Sequence, residues 1–259
     1  MGIFESKTPI TILNGFLGAG KTTILQRFLL QAQAEDDIEL GVIVNEMSEL
    51  DVDGRLINTN ELLLHKDEKF TSISAGSISS ERGLKEFTRA IEKIKHAGAT
   101  HIIIETSGST HPWPLIEAIR SHSGVALYGF LSVVDTVTLA QDHDLGRSIV
   151  PAVSKNLDAG KRGIENLLAE QIMFASRILM SKIDRVSPEI LRKVAEAIHP
   201  INPWVDITGI EFGNIDLRDI ISMPPYNYDR VAKLGAELAE WDEKHGCDTM
   251  SSASEYHID

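Results

Sequence analysis

Short apolar, β-branched runs stand at residues 10–13, 40–44, 101–104, 126–134 and 177–180, and stretches with helical periodicity lie between or after them at 21–34, 81–96, 114–121, 163–175 and 188–199. Within the strand-like runs nearly every position is apolar, as in Ile102-Ile103-Ile104, where a half-solvated strand would alternate apolar with polar. Strands that are apolar on both faces and alternate with amphipathic helices predict an α/β fold: a mostly parallel central sheet with helices on both faces. Residues 141–162 are polar and weakly periodic and read as a surface insertion or mobile loop. No repeat of fixed period interrupts the plan.

Composition narrows the function without changing that plan. The chain has 259 residues, 42% hydrophobic, which is enough to bury a sizeable core. Its net charge of −13 argues against a partner made of phosphate backbone, so no nucleic acid is expected. Residues 236–259 carry seven carboxylates and one lysine, and their Ser/Thr-rich end is expected to be solvated. The predicted organisation is one α/β domain over residues 1–228, then a C-terminal helical segment and acidic, disordered tail over 229–259. No apolar run approaches the roughly 18 residues of a membrane span, and Cys247 is the single cysteine. A cytoplasmic protein with no membrane association is the expectation.

The strongest chemical signal is Gly15-Phe16-Leu17-Gly18-Ala19-Gly20-Lys21-Thr22-Thr23, which follows the first strand-like run and opens a helical stretch. This is the P-loop spacing. Its glycines let successive backbone N–H groups turn onto phosphate oxygens, and the following helix adds its positive end. Gly15, Gly18, Ala19, Gly20, Lys21, Thr22 and Thr23 are the expected phosphate-binding residues, with Lys21 reaching the β- and γ-phosphates and the Thr22 hydroxyl holding Mg²⁺.

Two further strand ends complete the candidate site. Ile102-Ile103-Ile104 runs into Glu105-Thr106-Ser107-Gly108, placing Glu105 at the carboxyl edge of the sheet, where open α/β folds bind ligands. Glu105 is the candidate for the Mg²⁺ hydration shell or the attacking water, and the Gly108 N–H for the γ-phosphate. The next, Ile178-Leu179-Met180-Ser181-Lys182-Ile183-Asp184, ends in a carboxylate that can accept guanine N1–H and the N2 amine together. Adenine lacks that donor pair and would leave Asp184 unmatched, so GTP is favoured over ATP. The Lys182 stem can lie across the base.

Together these residues resemble the CobW-like metallochaperone GTPases, relatives of HypB and UreG, over about residues 9–222. The P-loop matches that family's G-F-L-G-A-G-K-T-T at every position. Asn45-Glu46 resembles its N-E segment, with Glu49 on the next acidic position. Glu105–Gly108 with Pro112 and Pro114, Val133-Val134-Asp135, Glu170-Gln171-Ile172, Ser181–Asp184 and Gly213-Asn214-Ile215-Asp216-Leu217 match further motifs. The resemblance implies a P-loop NTPase that binds and slowly hydrolyses GTP with Mg²⁺. It implies a client protein or metalloenzyme as partner, and such relatives often form homodimers. Lys21, Glu105 and Glu46 are the implied catalytic residues, and Glu46 and Glu49 are weak candidates for metal contact.

The chain departs from the family in two respects. Where the family carries C-x-C-C, this chain has Ser77-Ile78-Ser79-Ser80. A serine hydroxyl stays protonated at neutral pH and ligates Zn²⁺ poorly, so a transferred transition metal is doubtful. Asp142-His143-Asp144 is the only tight His/carboxylate group and reads as a solvated loop. Nothing after Leu217 is long or β-rich enough for the family's smaller second domain. Three functions remain open: a GTP-driven switch for a client, a cysteine-free regulator that binds GTP and a partner without metal, and a small-molecule kinase. The kinase reading leaves Asp184 unexplained and lacks an identifiable lid. Neither Arg82 nor Arg147 is more than a weak candidate for a charge-stabilising arginine.

Overall fold

A computed structural model of the chain describes residues 7–45, 68–73, 78, 80–149 and 164–232. Seven strands form one sheet: β1 (Thr8–Gly15), β2 (Leu40–Asn45), β3 (Phe70–Ile73), β4 (His101–Glu105), β5 (Val125–Asp135), β6 (Arg177–Ser181) and β7 (Asp206–Gly209). Their order is β3-β2-β4-β1-β5-β6-β7. Every pairing is parallel, with Ile12 facing Ile104 on one side and Phe130 on the other.

The α-helices that accompany the sheet are α1 (Lys21–Gln33), α2 (Glu81–His96), α3 (Pro112–Ser121), α4 (Thr136–Asp142), α5 (Ile164–Met173), α6 (Pro188–Ile198) and α7 (Leu217–Ile221). The continuous apolar runs divide between two cores because successive strand residues point to opposite faces. Ile102 and Ile104 join Ile10, Ile12 and Ile43 beneath α2 and α3, with Phe87, Ile91, Leu115 and Ile116 from those helices. Ile103 joins Leu13, Val42, Val44 and Val133 beneath α1 and α7, with Ile24, Phe28 and Leu217. Each fully buried Ile or Leu contributes about 1.5–3 kcal/mol.

The expected α/β architecture is therefore present, with parallel strands covered on both faces. Hydropathy missed the two edge strands, β3 (FTSI) and β7 (DITG), because they are only partly buried. An edge strand needs no second apolar face, so its sequence lacks the strong pattern of a central one. The reading of 141–162 as a surface insertion also needs correction. Its beginning overlaps α4, whose Leu139 is buried, and Ile149 is buried in the same core as Val194 and Ile198 of α6. Residues 150–163, and residues 233–259 of the segment expected as a tail, lie outside the described residues.

This topology brings several chain segments to one place. β1 lies between β4 and β5, and all strands run the same way. Gly15, Glu105, Asp135 and Ser181 therefore end adjacent or nearby strands on one edge, where a ligand can meet several loops together.

Candidate nucleotide site

β1 ends at Gly15, where the backbone has φ 147° and a Cβ would lie 2.2 Å from the Val133 carbonyl oxygen. Only glycine lets the loop leave the sheet this close to β5. The chain turns through Gly18 and Gly20, at φ 68° and 98°, into α1. Gly20 is the N-cap of α1 and supplies no side-chain cap. The first-turn N–H groups thus have no capping side chain, an arrangement that fits an anion. Lys21 is buried, and its Nζ donates to the Gly15 and Phe16 carbonyls at 2.8 and 3.0 Å. Those bonds fold the ammonium over the loop it would share with phosphate.

Thr22, one residue on, donates its hydroxyl to Glu105 Oε1 at 2.7 Å. Glu105 is 1% exposed at the end of β4. Burial raises its carboxyl pKa above the ordinary 4.5, while the Thr22 hydrogen bond and the Lys21 charge pull it down. A half-buried hydroxyl and a buried carboxylate joined beside a phosphate loop suit a hard divalent cation, as oxygen donors do for Mg²⁺. Thr22 Oγ1 and Glu105 are the side chains here that would hold such an ion directly or through water.

A pH prediction follows from this burial. Folded Glu105 retains its proton to higher pH than in the unfolded chain. Its stabilising contribution is complete below 4.5 and is lost as pH rises through the folded value. Glu105→Gln, which is neutral at every pH, should therefore raise the Tm of the nucleotide-free protein, increasingly from acidic to neutral pH. Thermal melts across that range test this: a Tm difference independent of pH would mean that Glu105 carries no raised pKa.

The loop after β4 is held by buried polar side chains. The Thr106 amide donates to Leu13 O at 3.1 Å, and the Ser107 and Thr110 hydroxyls lie 2.9 Å apart. A Cβ at Gly108 would fall 2.6 Å from the Leu17 nitrogen, so this loop touches the P-loop backbone. Gln171 of α5 donates Nε2–H to the Gly108 carbonyl at 3.1 Å, and Glu170 lies 3.1 Å from His111 Nδ1. Spacing alone gave no role to Glu170 or Gln171. Two consecutive polar residues that both become buried on one helix are visible only after folding.

At the end of β6, Ser181 donates its hydroxyl to Ala19 O of the P-loop at 2.7 Å, tying the two motifs together. Lys182 adopts φ 57° and extends Nζ to Asp135 Oδ2 at 2.5 Å. The other Asp135 oxygen accepts the Val137 and Thr138 amides as the cap of α4. Asp135 therefore orients Lys182, a role its V-V-D context did not reveal. Asp184 follows in a short 3₁₀ turn, 4.0 Å from Arg185 Nε. Ala19, Gly20, Thr23, Ser181, Lys182 and Asp184 line one cavity of about 160 Å³, to which Phe212 and Gly213 also contribute.

Some residues singled out by sequence are elsewhere. Glu46, Glu49, Ser77, Ser79 and Cys247 lie outside the described residues. Ser80 is the N-cap of α2, and its hydroxyl accepts the Gly83 amide at 3.1 Å. Arg82 pairs with Glu86 along its own helix at 3.3 Å, and Arg147 is exposed. Among the described residues, no three His, Cys, Asp or Glu side chains gather as a metal group, and Asp142-His143-Asp144 forms none.

Known proteins resemble this chain in sequence and fold. The chain is 26% identical to the zinc-regulated GTPase metalloprotein activator 1 of Dictyostelium discoideum, in an alignment covering 94% of this chain and 54% of that protein. It is 31% identical to the zinc chaperone CobW of a Sinorhizobium species, covering 75% of this chain and 56% of that one. The crystal structure of Zn(II)-bound YjiA GTPase from Escherichia coli superposes with a TM-score of 0.52 at 25% identity, over 83% of this chain and 61% of the other. The chain spans about half the length of the relatives it matches. No described helix is long and apolar enough to cross a membrane. Residues 9–208, which hold the P-loop, Glu105 and the Lys182–Asp184 turn, match the family described as CobW/HypB/UreG, nucleotide-binding domain; the chain belongs to that family.

Proposed function

We propose that this chain binds GTP with Mg²⁺, hydrolyses it slowly, and uses the exchange as a switch for a client protein in metal supply or metalloenzyme maturation. The observation that carries this reading is the shared cavity in which Asp184 and Lys182 line the same space as P-loop Ala19 and Gly20. A nucleotide with its phosphates on the loop would bring its base to a carboxylate suited to guanine. Lys21 would hold the β- and γ-phosphates, while Thr22 and Glu105 would position Mg²⁺ and the attacking water. The bound ion would neutralise phosphate charge in the transition state. Gly108, braced by Gln171, would transmit the presence of the γ-phosphate to α5.

Metal delivery is a separable part of the proposal. Two relatives are named as a zinc-regulated activator and a zinc chaperone, which supports a metal-linked client. Against a cargo site of family type, this chain has Ser77, Ser79 and Ser80 in place of thiols, and the Ser80 oxygen is used as a helix cap. A regulator that binds GTP and a partner without carrying metal is thus the specific alternative. Calorimetric titration of Zn²⁺, Co²⁺ and Ni²⁺ with and without GTP separates the two: stoichiometric, GTP-dependent retention supports cargo, and its absence supports the regulator. For the switch itself, pull-downs with a non-hydrolysable GTP analogue and with GDP should recover a partner in one state only. Equal recovery in both states removes the basis of the switch.

A further inference from the structure

The turn after β7 violates two local preferences at once, beside the cavity that holds Asp184. Ile210 is buried, and its amide donates to Met180 O at 2.8 Å, fixing the start of this segment to β6. The Asn214 amide then donates to Glu211 O at 2.9 Å, closing a four-residue turn whose central residues are Phe212 and Gly213. Both have positive φ, 50° and 69°, as the central residues of a type I′ turn do. Glycine suits the second position, where a Cβ would come within 3.1 Å of the Ile24 nitrogen in the first turn of α1. Phenylalanine does not suit the first: asparagine, aspartate and glycine are favoured there, and a bulky residue at positive φ is strained. Its side chain gains no compensating burial, for Phe212 is 66% exposed.

Residues held in sparsely populated backbone regions cluster at active sites and ligand clamps. Phe212 lines the same cavity as Lys182, Asp184, Ala19 and Gly20, and two-thirds of its surface is open to solvent. We propose that Phe212 is a stacking wall of the base site, a positioning residue that holds a purine against the face of its ring. Resting on the reading of that cavity as the nucleotide's base site, this divides the labour there. Asp184 discriminates guanine through edge hydrogen bonds, while Phe212 contributes affinity through a π-face that every purine offers.

The test uses the full chain and calorimetric titration with GDP, GTP and ADP. Phe212→Ala should weaken GDP and GTP alike by roughly 10-fold, the range of a base–aromatic stack, and leave any guanine-over-adenine ratio unchanged. Phe212→Asn relieves the backbone strain, so it should melt no lower than wild type and yet lose the same affinity. Phe212→Trp, which restores a ring, should bind within about 2-fold of wild type. Loss of affinity in Phe212→Asn without loss of Tm, with rescue by Phe212→Trp, is the result a merely structural residue would not give. If Phe212→Ala and Phe212→Asn both bind GDP as wild type does, the stacking wall is refuted while the guanine reading stands. If wild type prefers ADP, the guanine reading fails, and the same variants on ADP still decide the role of Phe212. A wild-type chain that binds neither diphosphate overturns both.

Discussion

Lys21→Ala is expected to lower single-turnover GTP hydrolysis by at least about 100-fold, the scale on which loss of one fixed charge-stabilising donor is felt in an excluded site. The reason is positional. Lys21 is buried at the first turn of α1, and its Nζ is held by the Gly15 and Phe16 carbonyls. The ammonium is already placed over the loop, so little reorganisation separates its resting position from a phosphate contact. Lys21→Arg should fail almost as badly: a planar guanidinium does not fit a point-charge position between two carbonyls of a tight loop. Rapid-quench measurement on folded variants checks this, and turnover within a few-fold of wild type in Lys21→Ala would mean that the loop does not cradle the reacting phosphate.

Asp184→Asn should change which nucleotide the chain prefers, weakening GTP and GDP by roughly 100-fold through lost charge-assisted hydrogen bonds and a mismatched amide. Asparagine offers one acceptor and one donor where aspartate offers two acceptors. Xanthine carries a carbonyl where guanine carries the N2 amine and keeps the N1–H, so it matches the amide. Xanthosine nucleotides should therefore bind Asp184→Asn more tightly than guanosine nucleotides do, reversing the wild-type order. Competition of the two against a fluorescent nucleotide reads this directly. An unchanged guanine preference in the variant would show that Asp184 does not contact the base edge.

The legible parts of the site were those whose chemistry depends on local spacing. A P-loop must have its glycines, Lys21 and Thr22 at fixed separations because one short turn makes every contact. Glu105 was singled out because it ends the buried β-branched run Ile102-Ile103-Ile104, and Asp184 because it follows an apolar strand by three residues, since the end of a parallel strand is where side chains can reach a ligand. The positions that sequence did not assign act across the fold. Asp135 meets Lys182 from 47 positions away, and Gln171 reaches Gly108 across 63. Asp135 and Gln171 each stand in a motif-like stretch, but no local feature says which distant residue either will meet once packing buries it. Phe212 is a third kind, given no role by the sequence: only the turn shows it as exposed and at positive φ.

Apolar runs at spaced positions, with the glycine and lysine spacing of residues 15–23, therefore determined that this chain builds a parallel α/β sheet with a P-loop after its first strand. Those features follow from the period of hydrophobic residues and from the reach of a few adjacent backbone amides. The tertiary structure decided what braces the loop, which half-buried segments become edge strands, and which aromatic lines the cavity shared by Asp184 and the P-loop. Each of these depends on contacts between residues far apart in the chain, and a local hydropathy pattern contains no record of which distant surface will cover it.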